Sequence, residues 1–190
     1  MVEEEPDNPG HWLYHGRESL GLGLEEQAFT SLLEAERLGL QTPLFGRMPE
    51  IYRLLIQIML QRKNYTEAEA YCHKALEQSP DFPDAHYLLA QVRMRQADEL
   101  LRQAEVSIKQ SLKSLPNYRG SVSADYLICE WKAPTALGEL AMRSGKLSRA
   151  KQIFSQLKDK PGAAEVMAAK LTFIESERQQ LNQAESQPPK

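Results

Sequence analysis

The chain has 190 residues, 42% apolar, 26% charged and 7% aromatic, and its net charge of −3 lacks the basic excess that nucleic-acid binding needs. Two cysteines, 57 positions apart, form neither a secreted disulfide framework nor a zinc site without many histidines. The apolar run Leu54–Leu60 is too short to span a bilayer, and the first residues are acidic where a signal peptide is basic and then apolar. A reduced, soluble, cytoplasmic protein is expected, with no nucleic acid and no membrane insertion.

Residues 1–8, with the charged run Glu3-Glu4-Glu5, read as a disordered acidic end. A helical pair follows over 9–42. Trp12, His15, Gly16 and Ser19 mark its first helix, Gly23 its turn, and Ala28, Leu32 and Ala35 its second helix. Gly21-Leu22-Gly23-Leu24-Glu25-Glu26 begins like a dinucleotide loop, but without a third glycine or a preceding strand it reads as the turn between the helices. The next pair covers 49–82. Tyr52, Leu55, Ile56 and Met59 stand at i, i+3, i+4 and i+7, one face of a helix. Lys63-Asn64-Tyr65 interrupts the pattern, a second helix carries Ala68, Cys72, Ala75 and Leu76, and Pro80 ends it.

The same skeleton recurs over 83–116, with His86, Leu89, Ala90 and Arg93, then Ala104, Ile108, Ser111 and Leu112, and a closing Pro116. An insert at 117–130 comes next, of which Ala124 to Glu130 can add a helical turn or two. A fourth pair over 131–161 carries Pro134, Leu137, Gly138 and Ala141, then Gly145, then Ala150, Phe154, Leu157 and Pro161. Residues 162–182 read as an amphipathic capping helix with Val166, Met167, Leu171, Phe173 and Ile174 apolar, and 183–190 as a disordered tail.

The internal spacing of these pairs is nearly constant. From the first marker of each opening helix to the alanine of its partner the steps are 16, 16, 18 and 16 residues. Between successive alanines (Ala28, Ala68, Ala104, Ala150) they are 40, 36 and 46, so linkers of unequal length separate the units. The excess in the 36-residue step falls near Ala97 to Leu101, taken as the region between the helices of the third pair.

This pattern resembles the tetratricopeptide repeat family, whose period of about 34 residues comprises two antiparallel helices. Tyr52 to Pro80 matches well, Leu89-Ala90 to Pro116 and Leu137-Gly138 to Pro161 follow, and the first unit departs most, with His15 and Ser19 where apolar residues are usual. The resemblance implies an all-α fold: a right-handed α-solenoid of about four helical hairpins over 9–161, plus a C-terminal capping helix. The physical basis is close approach. Small side chains at Ala28, Ala68, Ala104 and Ala150 let paired helices touch, and no single hairpin buries enough apolar surface to stand alone.

Family geometry also implies a function, since the first helix of each pair lines an inner groove that holds a peptide or a partner helix. On this chain that face would carry Leu13, Arg17 and Leu20, then Glu50, Arg53, Gln57, Leu60 and Gln61. It would continue with Asp84, Tyr87, Gln91, Met94 and Arg95, then Lys132, Thr135, Glu139, Met142 and Arg143. The candidate peptide contacts are Arg17, Arg53, Gln57, Gln61, Tyr87, Gln91, Arg95, Lys132 and Arg143, since guanidinium groups pair with carboxylates and glutamines satisfy a peptide backbone. The carboxylate clamp of chaperone-binding relatives needs Lys and Asn where Leu13, Arg17 and Leu54 stand, and Lys and Arg where Asp84 and Leu88 stand.

Catalytic signals are sparse, and no enzyme activity or cofactor is expected. Cys72 and His73 diverge around a helix, His11 and His15 lack a third metal ligand, and Asn64-Tyr65-Thr66 falls in a hairpin turn. The expected role is a non-catalytic scaffold or adaptor with a protein or peptide partner, self-association remaining compatible. Two alternatives come from weaker signals. Tyr14-His15-Gly16-Arg17-Glu18 and Glu130-Trp131-Lys132-Ala133-Pro134 are similar to segments of the repeat tail on bacterial family 2 glycosyltransferases, which would make the chain an accessory module. Small bacterial secretion or assembly chaperones also use arrays of this size.

The seam makes one prediction. Ala68→Leu would overpack its helix contact and lower stability by roughly 1–3 kcal/mol. Chemical denaturation measures it, and an unchanged midpoint would remove Ala68 from the contact.

Overall fold

A computed structural model describes residues 5–185, and among these all regular structure is helical. The helices are α1 (Pro9–Gly21), α2 (Glu25–Gln41), α3 (Met48–Gln61), α4 (Tyr65–Gln78), α5 (Pro83–Ser114), α6 (Ala133–Arg143), α7 (Leu147–Leu157) and α8 (Ala164–Glu185). Proline opens several of them. Pro9, Pro49 and Pro134 sit in the first turns of α1, α3 and α6, where a missing N–H is not needed, and Pro83 begins α5. Side-chain caps assist: Asn8 Oδ1 accepts from the Gly10 N–H, and Asn64 Oδ1 accepts from the Glu67 N–H. The chain divides into two compact units, with the boundary between Glu99 and Leu100, inside α5.

Three pairs reverse direction through one backbone device. Gly23, Lys63 and Gly145 adopt positive φ of 75°, 57° and 71° immediately after α1, α3 and α6. The next residue's N–H then bonds back five residues, from Leu24 to Ser19 at 2.9 Å, Asn64 to Met59 at 2.9 Å and Lys146 to Ala141 at 2.8 Å. This is the left-handed C-terminal cap that satisfies otherwise orphaned carbonyls. It folds α2 onto α1, α4 onto α3 and α7 onto α6.

The third expected hairpin is absent. By spacing from Ala90, the reversal would fall at Ala97, yet α5 runs unbroken for 32 residues. An alanine forced into the left-handed region costs about 1–2 kcal/mol, and the sequence Gln96-Ala97-Asp98-Glu99-Leu100-Leu101-Arg102-Gln103 holds neither glycine nor asparagine. Most of those residues are strong helix formers, so the helix continues.

In the first unit α3 lies at the centre. Nine of its 14 residues are buried, too many for a single stripe, because α3 packs against the first hairpin as well as its own partner α4. At the α1–α2 seam Gly16 is buried, and a Cβ there would lie 2.7 Å from Leu32 Cγ, so only glycine allows this approach. Ala28 and Ala68 are fully buried on the second helices. Ala85 and Val92 of α5 are the two of its residues that are buried, both in this core.

Ion pairs tie the first two hairpins together. Arg62 meets Glu25 at 2.7 Å and Glu26 at 2.6 Å, with its guanidinium 4.4 Å above the Phe29 ring. Glu36 on α2 is only 8% exposed and holds Lys74 of α4 at 2.7 Å. Beside them the rings of Tyr52 and Tyr71 stack 6.2 Å apart.

The second unit is built around Phe154. A Cβ on Gly138 would lie 2.3 Å from Phe154 Cε1, so α6 and α7 approach as closely as the missing side chain permits. From α8, Met167 and Ile174 enter this core, while Val166 and Phe173, expected on the same apolar face, are 41% and 50% exposed. The insert contains one π-helical turn, Ile128–Lys132, leading straight into α6, and a short 3-10 turn, Leu115–Asn117. Of the ends expected to be disordered, residues 1–4 and 186–190 lie outside the described residues. Residues 5–8 instead make local bonds, with Trp12 Nε1 donating to the Pro6 carbonyl at 2.7 Å, and α8 continues through Glu185.

Burial sets an alkaline limit. It pushes the Tyr52 and Tyr71 hydroxyls up to about 12, with the nearby Glu36 charge adding to both, and lifts the Cys72 thiol to about 11. The folded state therefore holds these protons more tightly than the unfolded chain, so their stabilisation is intact at about pH 8 and is lost as pH rises through 11 to 12. Urea midpoints followed by circular dichroism should fall over that interval, and less steeply in Tyr71→Phe.

Candidate protein-binding groove

Within the first unit, α1, α3 and α5 contribute side chains to one cleft. Leu20 and Gly21 from the end of α1, Gln57, Leu60 and Gln61 from α3, and Arg95 from α5 line a hollow of about 530 Å³. Leu60 is nearly buried and supplies an apolar floor, while Gln57 and Gln61 are exposed one helical turn apart and offer amide donors and acceptors. Arg95 is the one charged residue in the lining, and it is exposed with no ion pair among the described residues. A cleft of this chemistry offers a backbone-like surface beside one cationic group.

The remaining candidates of the first unit are placed variously. Arg53 is half-buried, one turn before Gln57 on α3, and likewise has no ion pair among the described residues. Tyr87 is 65% exposed, Gln91 is half-buried, and the two precede Arg95 at four-residue intervals along α5. Arg17 is engaged elsewhere. It lies 3.7 Å from Glu50 and 4.9 Å above the Tyr14 ring, and Arg47 shares both partners, 2.6 Å from Glu50 and 4.7 Å over the same ring. Leu13, placed on this face by family geometry, is fully buried in the core instead.

Lys132 and Arg143 belong to the second unit. Lys132 ends the π-helical turn and pairs with Asp125, whose carboxyl is held below its usual range mainly by that contact. Arg143 is exposed at the end of α6.

A second hollow, about 570 Å³, has no counterpart in the sequence reading. Glu5, Pro6, Asp7, Asn8 and Pro9 form one side of it, and Thr42 and Phe45 the other. No periodic signal marks it, because irregular chain ahead of α1 and the loop after α2 supply its walls.

The residues that carried possible chemistry are in structural contacts. Cys72 is fully buried. His15 Nδ1 meets Ser31 Oγ at 2.8 Å across the α1–α2 seam, with Gln27 at 3.3 Å from its other nitrogen and Trp12 edge-on to the ring. His11 Nδ1 lies 3.7 Å from Glu5. No helix among the described residues is long and apolar enough to cross a membrane.

Helical pairs joined by left-handed caps and closed on small residues define a helical-repeat protein. The comparison with known families agrees: residues 47–118, spanning α3, α4, α5 and the turn after it, match the model described as tetratricopeptide repeat. Over that stretch, less than half of the chain, the protein is similar to tetratricopeptide repeats. Repeats of this kind generally mediate protein–protein interaction and are typically non-catalytic. No curated protein matches the chain.

Proposed function

We propose that the protein is a non-catalytic adaptor whose first unit holds an extended, polar or acidic segment of a partner protein between α1, α3 and α5. The observation that carries this reading is the cleft itself. Leu20, Gln57, Leu60, Gln61 and Arg95 come from the opening helices of three successive units and surround one hollow. Its glutamines can pair with an extended backbone, and Arg95, with Arg53 along α3, can meet carboxylates. The lining holds no carboxylate that would compete with a bound acidic segment.

The test is selection from a displayed library of extended peptides, followed by fluorescence anisotropy on the best sequences. The parent protein should enrich peptides rich in Asp and Glu. Arg53→Glu combined with Arg95→Glu should weaken their binding about tenfold or more at low salt, and less at high salt, where surface charges are screened. Equal binding by parent and variant would assign recognition to another face.

A further inference from the structure

The net charge of the whole chain conceals an uneven distribution. The second unit, from Leu100 to Lys190, has 14 lysines and arginines against 9 aspartates and glutamates, a net charge of +5 in a chain whose total is −3. Ion pairs in this unit are mostly one to one. Lys132 meets Asp125, Lys151 meets Glu175 at 3.1 Å, and Lys170 meets Glu139 at 2.6 Å. Glu105 is the exception. From the second half of α5 it has Lys109 Nζ at 2.8 Å and Arg149 of α7 at 4.0 Å. Its carboxyl is held below the usual range first by the Lys109 hydrogen bond and charge, and then by Arg149 and Lys146. Three cations therefore converge on one anion, and two positive charges stay uncompensated.

The surroundings add charge of the same sign. Lys113 lies one turn beyond Lys109 on α5, and Arg143 ends α6 three residues before Lys146. Both are exposed, with no ion pair among the described residues. The first turn of α7, which carries Arg149, holds no carboxylate. Lys109 and Arg149 each keep 54% of their side-chain surface in water, so the group is open to a ligand. Packing does not call for this crowding, because the apolar core of the unit closes around Phe154, Met167 and Ile174 without these cations. Like charges gathered without a structural return are what a recognition surface for the opposite charge requires.

We propose that the cluster of Lys109, Lys146 and Arg149 around Glu105 docks an acidic segment of a partner protein whose carboxylates fall close together in sequence. Charge complementarity carries the assignment. The ammonium groups of Lys109 and Lys146 are point charges on flexible stems, which adapt to a segment without fixed geometry, and the Arg149 guanidinium can take a carboxylate bidentately. Nucleic acid suits the group less well. Its cations gather about one point and do not track a phosphate backbone, and it contains no aromatic side chain on which a base would stack. The surface lies wholly within the second unit, and it does not depend on the reading of the cleft in the first.

Fluorescence anisotropy with a labelled oligoglutamate peptide, on the full chain at low salt, tests this. Arg53→Glu with Arg95→Glu removes the cations of the cleft, and in that background the peptide should still bind. Adding Lys109→Gln, Lys146→Gln and Arg149→Gln should then weaken binding at least about tenfold, with the parent's helix content retained by circular dichroism. The three positions are exposed, so the substitutions leave the core alone. Carbodiimide coupling of the bound peptide, mapped by mass spectrometry, should join its carboxylates to Lys109, Lys113 or Lys146. Affinity unchanged by the three substitutions overturns the proposal, and so does coupling confined to lysines outside the cluster. A single-stranded oligonucleotide of equal charge should bind less tightly. Tighter binding of it through the same three residues would make the occupant a nucleic acid and overturn the assignment.

Discussion

The structure depends on how closely two antiparallel helices can approach. At Gly16 and Gly138 a single methyl group would collide with Leu32 or Phe154, and Ala28, Ala68 and Ala150 are fully buried on the second helices. Close approach lets Leu13, Leu32, Cys72 and Phe154 bury completely, and burial of apolar surface is the main favourable term that offsets the entropy of ordering the chain. The seam in turn requires that the chain reverse immediately. That reversal rests on one residue at positive φ per pair, which is easy for Gly23 and Gly145 and strained for Lys63.

These requirements explain what the sequence disclosed. Small residues on second helices, apolar residues at helical spacing and glycine or polar breaks between them are local, repeated signals, so three hairpins and the helix after Pro161 were legible. The third pair was misread for a physical reason. A helix pair closed on itself and a straight helix whose halves face other partners carry the same apolar periodicity, because both must bury the same faces. Only the reversal distinguishes them, and around Ala97 there is neither the glycine of the α1–α2 and α6–α7 turns nor the capping asparagine of the α3–α4 turn. Leu13 was misplaced too. Family geometry assigns it to the groove, but it is fully buried in the core of the first unit.

The candidate groove was legible as a set of helix faces but not as an electrostatic surface. Arg17, Arg53 and Arg95 look alike in sequence, yet Arg17 belongs to a cluster with Tyr14, Arg47 and Glu50, while Arg95 lines the cleft. Long-range pairs settle such differences, and their spacing is not periodic: Arg62 reaches Glu25, and Lys74 reaches Glu36. The same pairs bind the second hairpin to the first. Arg17 of α1, 3.7 Å from Glu50 of α3, links the two cleft walls, which reduces the ordering that a bound segment would have to induce.

For α5 two backbone states compete for one set of side chains. Closing a hairpin at Ala97 would join Ala90 to Ala104 within one chain, at the expense of a left-handed alanine and of several helical hydrogen bonds around it. Continuing the helix keeps those bonds. A sequence that selects the unbroken helix must disfavour the turn itself. Gln96 to Gln103 does this by composition: it lacks the glycine that two of the other turns place at Gly23 and Gly145, and the asparagine that follows Lys63 in the third.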